Sequence, residues 1–380
     1  MTYKSYMTYS LKKVKMSLKI LHVDTSINWR GGEQQLLYLF TGLQKKGYSQ
    51  LIACQPDSLL LKRCQGYAAT IPVRMWGEWD IAAVCKLARL IDIKGIQLVH
   101  LHSSHAHALG LMAAKISRSK PAVVVSRRVD FHLRKNPISW IKYRIGVNRI
   151  IAVSNAVKQV LISDGIRPEE IDVVHDGIDV EWFGKDIDND YLYQEFGLNH
   201  MFPIVGIIAA LAPHKDHKTF LQACSHVKKT NHQVQFLIVG NGELRCKLQQ
   251  MVKRLDIENN VIFTGFRNDI PQILSILTVF VVSSYLEGLN TSILEAQSAG
   301  VPVIATRTGG IPEIIQDGIN GLLVLPQHPE SLAEGIIQLI GNKTLSNQLA
   351  AIAKKDVRKF NMEAMIDTTE AVYHRVMGMV

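Results

Sequence analysis

The sequence predicts an α/β protein made of two Rossmann-like, doubly wound domains. Two observations support this prediction. The chain has 380 residues, whereas a single hydrophobic core stops growing at about 250 to 300 residues. Short segments rich in β-branched residues also alternate with longer amphipathic segments along most of the chain. Such alternation is typical of parallel strands joined by crossover helices.

The alternation begins at Leu18, and we assign residues 17–183 to a first domain. Its predicted strands are the apolar segments LKILHVD, QLIAC, QLVHL, AVVVS and RIIAV. Between the first two of these strands, residues 34–46 form an amphipathic stretch that predicts a helix. Residues 1–16 are polar and basic, and we expect this N-terminal extension to be disordered.

The same pattern resumes after a polar stretch that contains KDIDNDY. We therefore place a linker at residues 184–199 and a second Rossmann-like domain at residues 200–360. Its predicted strands include PIVGIIAAL, QFLIVG, VIFTG, TVFVVSS and VPVIAT. The last helical segment, residues 361–377, has no strand after it, and we expect it to cross back and brace the first domain.

Apolar runs and cysteines bear on where the protein works. Every apolar run is shorter than the ~18 to 20 residues that a membrane-spanning helix needs. The N-terminal extension lacks the apolar core of a secretory signal. The five cysteines are scattered and never spaced as CxxC, which argues against a disulfide framework and a zinc site. We expect a cytoplasmic protein.

Charge is distributed unevenly along the chain. Residues 1–150 contain 24 Lys and Arg but only 7 Asp and Glu, whereas acidic residues outnumber basic ones in the remainder. A basic surface attracts an anionic partner, either nucleic acid or an anionic membrane. The sequence lacks the helix-turn-helix, RNP-type and finger patterns that accompany nucleic-acid binding. We therefore expect no nucleic-acid partner and a peripheral position on the inner face of the membrane.

Two glutamates in the second half bracket a predicted helix start. Glu287 lies in the loop after the strand TVFVVSS, and Glu295 lies eight residues later in the helix that Asn290, Thr291 or Ser292 would cap. Free amides at a helix N-terminus suit a diphosphate. A carboxylate accepts hydrogen bonds from neighbouring sugar hydroxyls. The segment therefore predicts a site for a phosphorylated sugar.

Six segments in this order resemble the retaining family-4 glycosyltransferases of GT-B fold, whose two Rossmann-like domains face each other across a cleft. The resemblance spans residues 18–376. The matching segments are the Gly31–Gly32 loop, ALAPHKD (210–216), IVGNGE (238–243), FTGFRND (263–269), EGLNTSILEA (287–296) and GVPVIATRTGGIPE (300–313).

The resemblance implies a role for each matching residue. Glu295 would bind the ribose of the donor and Glu287 the transferred sugar, while Lys215 would neutralise the departing phosphate. The remaining donor-binding candidates are the amides of Leu289, Asn290 and Thr291, the backbone at Gly31, Gly32 and Gly240, and Phe266 with Arg267 beside the base. We expect no metal and no cofactor, because no DxD-like cluster occupies a convincing loop.

Two positions depart from the family pattern. Ala210 stands where the family usually has an arginine, so one phosphate-binding cation is missing. Arg128 aligns with a histidine that the family often places near the reacting carbon. His102 is a further candidate for a catalytic polar group, and the acceptor-side candidates are His105, Asp130, His132 and Arg127.

The expected function is metal-independent transfer of a sugar from a nucleoside diphosphate sugar to a glycan or lipid-linked acceptor. Anomeric configuration would be retained, and the pathway would be assembly of a cell-envelope glycan or lipopolysaccharide. The alternatives are a nucleotide-sugar epimerase on the same fold and a nucleotide-sugar-binding protein without turnover. The histidines of HLHSSHAH (100–107) are not expected to bind a metal, because no carboxylate or cysteine lies at ligand spacing.

Overall fold

The computed structural model describes residues 18–66, 68–133, 137–185 and 187–379, without the side chains of 137–139. The predicted N-terminal extension, residues 1–16, lies outside the described residues. The described chain forms two parallel sheets with helices packed on them, which confirms the α/β fold class.

The first sheet has seven parallel strands in the order β3-β2-β1-β4-β5-β6-β7. The strands are β1 (Lys19–Val23), β2 (Ser49–Cys54), β3 (Thr70–Pro72), β4 (Leu98–Leu101), β5 (Ala122–Arg127), β6 (Arg149–Ala152) and β7 (Ile171–Val173). The helices that follow these strands are α1 (Gly31–Lys45), α2 (Leu59–Cys64), α3 (Ile81–Lys94), α4 (Ser104–Ile116), α5 (Pro137–Arg144), α6 (Asn155–Ser163) and α7 (Val180–Phe183).

The second sheet has six parallel strands in the order β10-β9-β8-β11-β12-β13. The strands are β8 (Ile204–Ile208), β9 (Gln235–Val239), β10 (Val261–Gly265), β11 (Val279–Val282), β12 (Val303–Thr306) and β13 (Leu322–Val324). The associated helices are α8 (Asp190–Phe196), α9 (His217–Thr230), α10 (Arg245–Arg254), α11 (Ile270–Ser275), α12 (Thr291–Ser298), α13 (Ile311–Ile314), α14 (Pro329–Gly341) and α15 (Lys343–Asp356).

Helices cover both faces of each sheet, and the central strands are accordingly apolar throughout. Every residue of β4, β11 and β12 is buried, as expected for strands in parallel sheets. The segment predicted as a linker contains a helix, α8, whose Leu192 is fully buried.

The last helix, α16 (Met362–Met377), packs against α1 and β5 of the first domain. Its buried Tyr373 hydroxyl lies 2.5 Å from Nδ1 of His100, and its Arg375 pairs with Asp172 at 2.7 Å. The chain therefore returns to the first domain after completing the second. Within the described residues, no helix is long and apolar enough to cross a membrane.

The strand orders fix where a ligand would bind. In the first sheet β1 lies between β2 and β4, and in the second sheet β8 lies between β9 and β11. At such positions successive connections run in opposite directions, which opens a crevice at the carboxyl ends of the strands. The loops after β1, β4, β8 and β11 are therefore the expected binding loops.

Candidate active site between the two domains

Glu287 and Lys215 form an ion pair on the second-domain side. Lys215 Nζ lies 2.6 Å from Oε2 of Glu287, and the two side chains are largely buried. Lys215 ends a short turn after β8, and Glu287 follows β11. The amide of Tyr285 donates a 3.0 Å hydrogen bond to the carbonyl of His214, which ties the two loops together. The second domain therefore holds one cation and one carboxylate at its switch point.

The N-terminus of α12 lies next to this pair. Asn290 caps the helix with its side chain, which accepts a hydrogen bond from the amide of Ile293 at 3.3 Å. Its φ of 97° is unusual for a residue with a side chain, and Leu289 before it is buried. The amides at this helix start, with the helix dipole, form a region of positive potential suited to an anion.

Glu295 lies in the second turn of α12 and is partly buried. Burial raises the pKa of its carboxyl group to about 8. Tyr38 of α1 lies nearby, since burial and then the charge of Glu295 raise the pKa of this tyrosine to about 12. A buried carboxyl group with a raised pKa is stabilised as an anion when a ligand donates hydrogen bonds to it. A ribose diol would supply such hydrogen bonds.

The two domains meet directly at this site. A Cβ atom on Gly288 would lie 2.1 Å from the carbonyl oxygen of Arg128, so only glycine allows this approach. Ser154 Oγ donates a 2.7 Å hydrogen bond to the carbonyl of Gly288. The carboxylate of Asp130 accepts a 3.1 Å hydrogen bond from the amide of Glu287. Asp130, an acceptor-side candidate, therefore holds the loop that carries Glu287.

Glu313 provides a second contact between the domains. Its carboxylate accepts hydrogen bonds from the amides of Asn155 and Ala156 at 3.0 and 2.9 Å, and it lies 2.8 Å from Nε2 of His175. Although burial opposes the shift, these hydrogen bonds lower the pKa of Glu313 to about 2. Glu313 thus caps α6 across the domain boundary, a role that its sequence position did not reveal.

The N-termini of α1 and α12 face each other across the boundary. A Cβ atom on Gly31 would lie 3.6 Å from Oγ1 of Thr291, and one on Gly32 would lie 3.9 Å from Cδ of Arg128. The Gly31–Gly32 loop therefore brings a second helix start to the same site. Two opposed helix N-termini provide positive potential from both sides.

Arg30 precedes this pair of glycines and is exposed. Burial and then Lys215 lower the pKa of His214, and the charge of Arg30 contributes to the same shift. Arg30 of the first domain therefore lies close to the loop that carries Lys215. It is a candidate for the cation missing at Ala210, and sequence reasoning overlooked it although it adjoins the glycine pair.

Arg128 turns back into the first domain. Its Nε lies 3.2 Å from Oδ1 of Asp176, and its buried Nη1 has no hydrogen-bond partner in the described part of the chain. Arg128 also faces Asp24, whose pKa rises to about 6 chiefly because of burial and then the charge of Glu33. The Nε side of the guanidinium is thus paired, whereas Nη1 is buried without a hydrogen-bond partner in the described residues.

His102 belongs to a buried cluster of three histidines. Its Nε2 lies 3.0 Å from Nδ1 of His22, and its ring centroid lies 4.0 Å from that of His100. Among the described residues, these three rings are the group whose nitrogens could surround a metal ion. The sequence showed His100 and His102 together in HLHSSHAH but did not show their contact with His22, which lies on a different strand.

Protein partners already occupy most of the nitrogens in this cluster. His22 Nε2 lies 3.0 Å from Oε1 of Gln50, and His100 contacts Tyr373 and Ser126 through its two ring nitrogens. Burial lowers the pKa of all three histidines, so the rings are neutral. The cluster is a buried polar network in which Nδ1 of His102 has no hydrogen-bond partner in the described structure.

The remaining acceptor-side candidates have different surroundings. His105 is exposed in the first turn of α4. Arg127 donates from Nη1 to the hydroxyl of Tyr143 on α5 and from Nη2 to the carbonyl of Phe131, which precedes that helix. His132 Nδ1 lies 3.0 Å from Oδ1 of Asp164.

Asp164 is the C-cap of α6, whereas Glu313 binds the N-terminus of that helix. The nine residues of α6 therefore separate His132 from this domain contact by roughly 13 Å at 1.5 Å per residue. The acceptor-side roles of His132 and Arg127 stay predictions.

Arg267, Gly240 and Phe266 were predicted to bind the donor, and each has different surroundings in the structure. The guanidinium of Arg267 pairs with Glu195 at 2.5 Å and with Asp269 at 2.6 Å, and its expected place beside the base stays a prediction. A Cβ atom on Gly240, at φ +140°, would lie 2.1 Å from the carbonyl oxygen of Ala209. Phe266 is 49% exposed, which leaves its ring available for stacking.

Both halves of the chain match models of known families. Residues 29–182 match Glycosyltransferase Family 4, and residues 189–356 match Glycosyl transferases group 1. An Escherichia coli UDP-Gal:alpha-D-GlcNAc-diphosphoundecaprenol alpha-1,3-galactosyltransferase is 26% identical over 96% of this chain and 98% of its own. A Bacillus anthracis N-acetyl-alpha-D-glucosaminyl L-malate synthase is 28% identical over 80% of this chain and 81% of its own.

Solved structures share the fold at low sequence identity. Anabaena Alr3699/HepE, crystallised with UDP and glucose, superposes with a TM-score of 0.84 at 23% identity, over 94% of this chain and all of that one. A glycosyltransferase from Rickettsia africae gives a TM-score of 0.84 at 20% identity, over 95% of this chain and 99% of its own. The expected fold is confirmed, and the chain belongs to the family-4, group 1 glycosyltransferases of GT-B fold.

Proposed function

We propose that the protein transfers a hexosyl group from a uridine diphosphate sugar to a lipid-linked glycan acceptor. The anomeric configuration is retained and no metal takes part. The observation that carries this proposal is the Glu287–Lys215 ion pair beside the N-terminus of α12, with Glu295 one helical turn deeper. This set provides one group for each part of a nucleotide sugar.

Donor binding replaces the contact between Lys215 and Glu287 with contacts from each residue to the nucleotide sugar. Its diphosphate lies at the N-terminus of α12 and draws Lys215 away from Glu287, which then accepts hydrogen bonds from sugar hydroxyls. The ribose donates hydrogen bonds to Glu295, and Phe266 stacks on the base. The UDP in the Anabaena structure and the UDP-galactose named for the E. coli relative support uridine as the base.

The transfer step builds negative charge on the departing diphosphate. The bond from the anomeric carbon to the phosphate oxygen breaks, and the acceptor oxygen bonds to that carbon on the same face. The acceptor proton moves to an oxygen of the departing phosphate, so no protein base is required. Lys215, released from Glu287, then stabilises this charge together with Arg30 and the α12 amides.

The acceptor would bind on the first-domain side, near Nη1 of Arg128 and Nδ1 of His102. Both nitrogens are buried and lack a hydrogen-bond partner in the described structure. The E. coli relative acts on a diphosphoundecaprenol-linked sugar, and residues 1–150 carry the basic excess that a diphosphate-lipid would favour. We place this reaction in cell-envelope glycan assembly, at the cytoplasmic face of the membrane.

A donor screen followed by a transfer assay tests this proposal. The purified protein is heated with a panel of nucleotide sugars, and the donor raises the unfolding temperature because it binds the folded state. That donor is then incubated with an undecaprenyl diphosphate-linked sugar in EDTA, and NMR reports the anomeric configuration of the product. Glu295→Gln loses donor stabilisation, whereas Glu334→Gln at an exposed position on α14 keeps it.

The other outcomes separate the alternatives. Conversion of the donor to an epimer without an acceptor identifies a nucleotide-sugar epimerase. Donor binding with no product on any acceptor identifies a binding protein without turnover. An inverted product contradicts retention, and activity that EDTA abolishes contradicts metal independence.

A further inference from the structure

The loop between β3 and α3 exposes two tryptophans to solvent. The side chains of Trp76 and Trp79 are 81% and 73% exposed, and Ile81 at the start of α3 is 76% exposed. Folded proteins rarely leave several large apolar side chains uncovered side by side, unless that surface has a partner.

The loop is held in place from both sides. Gln55 donates to the carbonyl of Met75 at 2.5 Å and accepts from the amide of Met75 at 3.1 Å. The carboxylate of Asp80 accepts from the amides of Trp76 and Ala83 at 3.0 and 2.9 Å. Met75 itself is buried. The tryptophans are therefore presented on a fixed backbone.

The exposed surface continues onto α5. Glu78, between the two tryptophans, pairs with Lys142 of α5 at 2.7 Å. Next to Lys142 in sequence, Ile141 of α5 is 49% exposed, and Ile145, one residue after the end of α5, is 52% exposed. We call Trp76, Trp79, Ile81, Ile141 and Ile145 the apolar patch.

The aromatic side chains of α5 point away from the apolar patch. Tyr143 is buried against His107 at a centroid distance of 4.5 Å, and Trp140 donates to the carbonyl of Asp164 at 2.7 Å. Although α5 combines basic and aromatic residues in sequence, its exposed apolar residues are thus isoleucines. The tryptophans that are free to contact a partner come from the β3–α3 loop.

Basic side chains lie beside the tryptophans of the apolar patch. The guanidinium of Arg74, 54% exposed, lies 5.4 Å from the ring of Trp76, the charge of the exposed Lys86 acts on Asp80 of the loop, and residues 1–150 have 24 basic against 7 acidic residues. The loop follows the carboxyl end of β3. The tryptophans therefore lie at the same end of the first sheet as the loops after β5 and β6, which contact the second domain.

We propose that the apolar patch docks the first domain on an anionic lipid bilayer. Trp76 and Trp79 lie at the level of the headgroups, where an indole buries its ring and keeps its N–H in contact with polar groups. The surrounding basic residues bind anionic lipids. This docking gives the proposed transferase access to a lipid-linked acceptor, and in that respect it rests on the proposed function.

Vesicle flotation of the full-length protein tests the docking without any turnover. The vesicles contain phosphatidylcholine alone or phosphatidylcholine with phosphatidylglycerol. We expect the wild type to float with the anionic vesicles, and W76S/W79S to bind them about tenfold more weakly, since amphipathic surfaces bind membranes in proportion to the apolar area they insert. The control is Trp182→Ser, because Trp182 is a 47% exposed tryptophan outside the patch.

Two results would overturn the docking proposal. One is a wild type that does not float with anionic vesicles. The other is binding that salt abolishes but W76S/W79S leaves unchanged, which indicates a general affinity for polyanions. Both variants must keep the unfolding temperature of the wild type, as expected for exposed positions. A protein that floats but transfers no sugar disproves the proposed function and leaves the docking intact.

Discussion

The two sides of the candidate site are built in different ways. On the second-domain side, charged side chains from neighbouring loops form the site, with Lys215 and Glu287 in direct contact. On the first-domain side, the corresponding switch point contains a pair of glycines and neutral, buried histidines. The second-domain side presents the Lys215–Glu287 pair at its centre, and the first-domain side presents backbone amides and uncharged rings, with Arg128 paired to Asp176 of the same domain.

This difference indicates a division of labour. Charges that rearrange around a diphosphate stabilise the departing group, so substitutions on the second-domain side should lower the rate of the chemical step. The first-domain side contributes shape, one exposed arginine and contacts that hold the domains together. Substitutions there should act more weakly on the rate and more strongly on binding or on domain closure.

The largest expected effect follows from Lys215→Ala. This change removes the cation nearest the proposed leaving group and leaves Glu287 without its partner at 2.6 Å. We expect kcat to fall by about 100- to 1000-fold, the range measured when one preorganised electrostatic contact is deleted. Steady-state kinetics with the donor found by the thermal screen provides the measurement.

Lys218→Ala is the matched control, since Lys218 is exposed on α9 three residues away and should keep full activity. A Lys215→Ala enzyme with wild-type kcat would show that the two sides of the site do not differ as proposed.

The two sides also differ in how many of their contacts could be predicted from the sequence. The second-domain side was predicted from one segment of nine residues, which contains Glu287, Asn290, Thr291 and Glu295. A predicted loop and helix start were enough to bring these residues together without knowledge of the tertiary fold. The parallel α/β class followed in the same way from local periodicity.

Partners distant in sequence were not predicted. Arg267 pairs with Glu195, 72 residues earlier. His22 joins His102 across 80 residues, and Glu313 reaches Asn155 across 158 residues. These contacts depend on strand order and on how the domains meet, and local patterns of residue type do not specify either.

Glu313→Ala tests whether the first-domain side depends on domain contacts. The change leaves two amides at the start of α6 and the ring of His175 without their acceptor. Hydrogen bonds to a charged group contribute about 1.5 to 3 kcal/mol each, and water at this partly exposed site replaces part of them, so we expect contact between the domains to be about 3 kcal/mol less stable. The KM for the donor should rise at least tenfold, and small-angle scattering should report a larger radius of gyration.

The same contact predicts a pH dependence. The pKa of Glu313 is lowered from 4.5 to about 2, so its stabilising effect is complete above pH 4.5 and disappears as the pH falls toward 2. Glu330→Ala, at an exposed position of α14, serves as the control and should change neither KM nor the scattering.

Arg30→Ala tests the proposed substitute for the missing cation. Arg30 is exposed and lies on the far side of the domain boundary from Lys215, so its charge is partly screened by water. We therefore expect kcat to fall about 10- to 30-fold, less than for Lys215→Ala. Arg89→Ala, an exposed position on α3, should leave kcat unchanged. Equal losses for Arg30→Ala and Lys215→Ala would mean that both sides carry the charge of the leaving group equally.

The smallest expected effect concerns the protonation of Glu295. Its pKa in the folded protein is about 8 against an ordinary 4.5, so the carboxyl group is neutral at pH 6 and ionised at pH 9. A ribose diol binds the ionised form better, because both oxygens then accept hydrogen bonds. Affinity for UDP should therefore rise about three- to tenfold between pH 6 and 9, measured by calorimetry.

The stability of the free protein should change in the opposite direction. A carboxyl group whose pKa is raised on folding destabilises the folded state progressively as the pH rises from 4.5 to 8. Glu295→Gln removes this effect, so the variant should be about 2 kcal/mol more stable than the wild type at pH 9 and equally stable at pH 4. The variant should also bind UDP more weakly and with no pH dependence. If wild type and variant share one pH profile for both stability and UDP affinity, the charged side of the site does not include Glu295.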